Sequence, residues 1–181
     1  HIGDIINTLP VIKEIAKTHS CELYINIDKP LEVYHHAHQA GNVYINKKIY
    51  EMLLPLLQSQ KYIDKVNVYT NQSIDINFDL VRDLPINLLF DNLRYGSLIA
   101  GVQPDISQAY LNVEPHQSIV NKIVILRSLR YQNQFINYKF IENYKDTLFV
   151  GTKDEYNELK KEIKNMDFYD CKDFLEMTQI I

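Results

Sequence analysis

A carboxylate beside a glycine at the mouth of a helix is the first place where these side chains could do chemistry. The pair is Gly3-Asp4, within His1-Ile2-Gly3-Asp4-Ile5-Ile6-Asn7-Thr8-Leu9-Pro10. Asp4 has two readings. As a cap, its carboxylate satisfies orphan backbone amides and meets the positive end of the helix dipole. As a general base, it takes a proton from a hydroxyl at the carboxyl edge of a sheet, where open α/β folds hold ligands. Gly3 can take a backbone conformation closed to other residues and lets another molecule approach.

A second group is the loop Arg127-Ser128-Leu129-Arg130-Tyr131, directly after the apolar run Ile123 to Leu126. Arginine clamps phosphate with paired donors. Loops that follow strands in open sheets carry ligands. The plain alternative is a pair of solvated surface arginines. A third group, His35, His36 and His38, is the one histidine cluster. A metal site needs converging ligands, and adjacent histidines on a helix point apart. With no Cys/His partner pattern nearby, a partly exposed surface is expected there and no metal. Cys21 and Cys171 belong to no CxxC pair, so neither zinc nor a disulfide framework is supported. Cys21 reads as a small buried residue at a strand start.

The elements that must hold these groups alternate. Ile5, Leu9, Ile12, Ile15 and Ala16 recur near helical spacing, with Lys13, Glu14 and Lys17 on the other side. Pro10 fits the first turn or a kink of that helix. Glu22 to Ile27 reads as a strand and Leu31 to His38 as a short helix. Lys47 to Gln60 is a helix that Pro55 kinks or splits. Val66 to Tyr69 and Ile76 to Leu80 alternate as strands. Leu88 to Ala100 is helical, with Gly101 as its carboxyl-terminal cap. Residues 112–118, around Pro115, read as a linker. Then the rhythm restarts: strand 122–126, helix 138–144, strand 147–151, helix 153–164, strand 167–169 and a helix from Lys172. Short β runs between helices predict an α/β layer fold with a mainly parallel sheet. The expected division is a domain over 1–111, the linker 112–118, and the start of a second domain over 119–181.

Composition excludes some classes. Hydrophobic residues at 46% and charged residues at 23% are an ordinary globular balance. A net charge of −4 without a basic block lacks the electrostatic footprint of nucleic-acid binding. No apolar run reaches membrane-spanning length. The sequence opens with His inside a motif and stops in an apolar helical pattern, so it reads as a fragment of a longer protein.

Gly-Asp-Ile-Ile-x-Thr-Leu-Pro-x-Ile-Lys, followed by the strand Cys21 to Ile25, resembles the start of the ADP-heptose:lipopolysaccharide heptosyltransferase family, glycosyltransferase family nine. The second half follows the family's carboxyl-terminal pattern of strand, polar basic loop, helix, and a strand ending in Val150-Gly151. The resemblance implies two Rossmann-like α/β/α domains in the GT-B arrangement, the second incomplete here. It implies inverting transfer of a sugar from a nucleotide-diphosphate donor to a glycan or lipid-linked, lipopolysaccharide-type acceptor. It assigns Asp4 as catalytic base, Gly3 to the acceptor-side loop, and Arg127, Ser128 and Arg130 to the donor phosphates. The family carries paired threonines and a lysine in that loop, so the phosphate role passes here to different residues. No metal and no cofactor are expected, in keeping with the lack of an Asp-x-Asp motif. The implied location is cytoplasmic, extending to peripheral contact with the inner face of the membrane. The 181 residues alone are expected to show no turnover.

Two other readings compete. A Rossmann oxidoreductase needs G-x-G-x-x-G between strand and helix, and no such spacing exists among Gly3, Gly41, Gly96, Gly101 and Gly151. A binding or regulatory protein that keeps the fold without catalysis is the other, because fold alone does not decide function.

Overall fold

A computed structural model describes residues 1–32, 40–83, 91–128, 133 and 135–181. They fall into two compact units, the first ending at Asn112 and the second beginning at Val113. Both are mixed α/β with short parallel sheets.

In the first unit, α1 (Ile2–Ile15) buries Leu9, Pro10, Val11 and Ile12. Pro10 sits in the helix interior rather than in its first turn. It forgoes the hydrogen bond to the carbonyl of Ile6, a cost the surrounding burial offsets. Strand β1 (Glu22–Ile25) pairs in parallel with β2 (Lys65–Val68), Glu22 opposite Lys65 and Ile25 opposite Val68. Between them runs α2 (Lys47–Gln58), capped by Asn46, whose side chain accepts from the amide of Ile49 at 2.9 Å. Ile49, Leu53, Leu56 and Leu57 bury its apolar face. Pro55 does not divide α2, which runs through it as one helix.

The stretch expected as a strand at 76–80 is instead a 3-10 helix, Phe78–Arg82. Asn77 turns the chain: its side chain accepts from the amide of Asp79 at 3.0 Å, and its carbonyl accepts from Leu80 at 3.2 Å. Such local side-chain bonding competes with a sheet ladder and here outweighs the period-two pattern. Helix α3 (Asn92–Ala100) starts at the cap Asp91 and ends at Gly101, whose left-handed backbone (φ 68°) closes it as expected. Helix α3 packs against α1 at Gly96, where the Val11 and Thr8 side chains lie 3.6 and 3.8 Å from where its Cβ would be, an ordinary contact distance. The end of the unit is tied back by side chains. Lys13 donates to the carbonyl of Ala109, Tyr62 to that of Tyr110, and the buried Gln60 accepts from the amide of Asn112.

The second unit is a three-stranded parallel sheet in the order β3 (Ile123–Ile125), β4 (Thr147–Val150), β5 (Asp167–Tyr169). β4 is central and buried throughout, as a parallel strand covered on both faces must be. Phe149 packs on one face with Ile141, Leu159, Ile163 and Met166. Leu148 and Val150 pack on the other with Ile180. The first face is covered by α4 (Lys153–Lys160) and a 3-10 helix, Tyr138–Asn143, where an ordinary helix was expected. The second face is covered by α5 (Phe174–Ile180). Among the described residues no helix is long and apolar enough to cross a membrane.

Candidate functional site

Asp4 reaches its place through the start of α1. His1 is the amino-terminal cap, so Gly3 and Asp4 are the second and third helical residues. The pair therefore lies inside the first turn of the helix and not ahead of it. Gly3 does not have a left-handed backbone. The reason lies in Asp4 itself: its Oδ2 accepts from the backbone nitrogen of His1 at 2.9 Å, the acidic half of a capping box. Closing that ring keeps residues 2–4 helical. A Cβ at Gly3 would meet nothing within 4 Å, so the local packing does not itself require a glycine there.

The same carboxylate is gripped from two further elements. Arg82, the last residue of the 3-10 helix, brings Nη2 to 3.4 Å from Asp4 Oδ2. Asn92, the first residue of α3, donates Nδ2–H to Asp4 Oδ1 at 2.6 Å. Arg82 is held in turn by Tyr44, its guanidinium carbon 4.1 Å from the ring centroid. The imidazole of His1 meets that ring edge-on at 5.0 Å. The start of α1, the end of the 3-10 helix and the start of α3 therefore converge on one carboxylate.

This cluster forms part of the wall of a broad cleft of about 1280 Å³ in the first unit. The cleft extends past the carboxyl ends of β1 and β2, where Asn26 and Tyr69 line it. An ion pair, Lys29 to Asp79 at 3.0 Å, lies on the wall as well. Asp4 keeps 35% of its side-chain surface exposed and Arg82 25%. An accessible carboxylate fixed by an amide and a guanidinium can accept a proton from a polar ligand, or a hydrogen bond from a hydroxyl.

In the second unit, Arg127 follows β3 by two residues and is half-buried, with its guanidinium carbon 4.4 Å from the ring centroid of Tyr138. Ser128 is exposed beside it. Arg130 lies outside the described residues, as do His35, His36 and His38. Cys21 and Cys171 are free and half-buried.

Arg82, Asn92 and Tyr44 were not singled out by the sequence. Arg82 ends an alternating run in an α/β chain, a position where ligand-facing residues gather, and that was the one usable signal. Tyr44 and Asn92 carry no local motif. No family profile, curated protein or solved structure matches the chain.

Proposed function

We propose that this chain belongs to a glycosyltransferase of the GT-B kind resembling the heptosyltransferases, with Asp4 as the general base. Asp4 Oδ1 takes the proton of an acceptor hydroxyl as that oxygen bonds to the anomeric carbon of the donor sugar. The bond from that carbon to the phosphate oxygen breaks, and its electron pair leaves with the nucleoside diphosphate. One displacement without an enzyme-bound sugar inverts the anomeric centre. The basic Arg127 and Arg130, with the hydroxyl of Ser128 between them in sequence, are the candidates to hold the departing phosphates. Donor and acceptor are a nucleotide-diphosphate sugar and a glycan or lipid-linked glycan.

The observation that carries this reading is the placing of Asp4: one-third exposed, in the wall of a cleft, and held by residues from three elements. One feature favours the competing reading of a non-catalytic binding protein. The carboxylate also bonds back to His1 as a helix cap would. Asp4→Asn in the full-length protein separates the two. Asn keeps the shape but cannot take the proton, and loss of a general base costs about a hundredfold or more in rate. The loss of charge at the helix start and beside Arg82 costs on the order of 1 kcal/mol of stability. Release of nucleoside diphosphate from a panel of nucleotide-diphosphate sugars, ADP-heptose among them, with a lipopolysaccharide-type glycan as acceptor, is the measurement. A variant that folds and turns over like wild type makes Asp4 a cap.

A further inference from the structure

The two oxygens of Asp4 are not equivalent. Oδ2 already accepts from the nitrogen of His1 at 2.9 Å and from Arg82 at 3.4 Å. Oδ1 accepts from Asn92 alone among the described residues, at 2.6 Å. A carboxylate oxygen offers about two lone-pair sites, so Oδ2 is saturated and Oδ1 retains one. We infer that Asn92 is a positioning residue that aims Asp4 Oδ1 at the acceptor hydroxyl, while Arg82 anchors Oδ2. This rests on the reading of Asp4 as general base.

The geometry explains why these residue types serve. Asn92 sits at the first position of α3, just after its cap Asp91, so its side chain projects from a fixed helix end rather than from a loop. Its amide is a neutral donor. It orients an oxygen without adding the full charge that would make that oxygen a poorer base. Arg82 supplies the charge on the other oxygen, and its guanidinium carbon lies over the Tyr44 ring, 4.1 Å from the centroid. A guanidinium held over a ring and bonded to a carboxylate loses freedom, which restrains the carboxylate from rotating about χ2. Rate depends steeply on such aim: a misplacement of about 1 Å can cost roughly a hundredfold.

The test uses the full-length protein, with the donor that wild type turns over best. Asn92→Ala should lower kcat about ten- to a hundredfold with the KM for the donor little changed. Asn92→Asp places a second carboxylate against Asp4, and two carboxylates sharing a site hold a proton to higher pH. Its rate profile should therefore shift its acid limb upward. Arg82→Gln should lower kcat in the same way as Asn92→Ala, and Arg82→Lys, which keeps a charged donor, should recover part of it. If Asn92→Ala fails to fold, Asn92→Ser replaces it, since serine also suits a helix start but is too short to reach Oδ1.

An Asp4→Asn loss of rate, with kcat and acid limb unmoved in the Asn92 and Arg82 variants, overturns the positioning roles and leaves the base in place. An Asp4→Asn variant as fast as wild type overturns both. Wild type that turns over none of the donors removes the catalytic reading and the positioning roles with it. Variants that only lower the melting temperature, with kcat kept, make Asn92 and Arg82 structural.

Discussion

At the scale of single residues, environment decides what a reactive group can do. Cys171 follows β5 and lies among Glu176, Asp170 and Asp173. Burial first, and then these three carboxylates, push its thiol up to about 11. At pH 8 the thiolate fraction is then about a thousandth, against roughly a quarter for an ordinary free thiol. Iodoacetamide should accordingly modify Cys171 far more slowly than a cysteine in an unfolded peptide, and denaturant should abolish the difference. Alkylation of native Cys171 at the free-thiol rate would contradict this environment. Asp4 shows the limit of reading residues singly. Its type and its glycine neighbour made it a candidate from the sequence. Its partners Arg82 and Asn92 lie 78 and 88 positions away, and only the fold brings them together.

At the scale of elements, legibility followed how local the deciding interaction is. β1, β2, β4 and β5 were readable because alternation or a short apolar run reports burial directly. α2 and α3 were readable from apolar spacing, and Gly101 from its capping role. The strand expected over 76–80 failed because Asn77 bonds back to the backbone, which a period-two pattern cannot express. Pro10 was expected in the first turn or at a kink and Pro55 at a kink or a split, and both lie inside continuous helices. Tertiary burial of neighbouring Leu9, Val11, Leu53 and Leu56 offsets the missing bonds. Two glycines should respond in opposite ways to alanine. At Gly96 a Cβ would meet Val11, Phe78 and Thr8 at 3.6–3.8 Å, ordinary contact. Alanine favours helix by about 1 kcal/mol, so Gly96→Ala should be neutral or stabilising by up to that amount. At Gly151 the backbone is at φ +157° and a Cβ would lie 2.8 Å from Phe149 Cε1. Phe149 is fully buried and cannot give way. Gly151→Ala should cost about 1–3 kcal/mol, read as a lower urea midpoint at unchanged slope.

At the scale of the whole molecule, each unit has its own sheet and its own buried residues, so each carries its own dependence on pH. In the second unit the dependence centres on Glu176 at the start of α5, the helix whose Met177 and Ile180 pack with Leu148 and Val150. The amide of Lys172, 2.8 Å from Oε2, holds the Glu176 carboxyl below its ordinary value. The Tyr169 hydroxyl, 3.0 Å from Oε1, adds to this. A carboxylate whose folded value is depressed contributes stability that is fully present above its unfolded value and is lost as pH falls through the folded one. The unfolded value of Glu is about 4.3, so the loss sets in near pH 4 and deepens below it. His116, with Nε2 3.8 Å from Oε1, also helps to hold the Glu176 carboxyl down. Glu176→Gln keeps an acceptor for the Lys172 amide but has no proton to gain. The variant should be less stable than wild type at pH 7 and should approach it as pH drops to 3. Hydrogen-exchange protection of the β4 amides of Leu148, Phe149 and Val150 reports this directly. The β1 amides of Leu23 and Ile25 serve as the control and should not distinguish the two proteins. Equal acid sensitivity of β4 protection in wild type and Glu176→Gln would mean that another carboxylate governs the second unit.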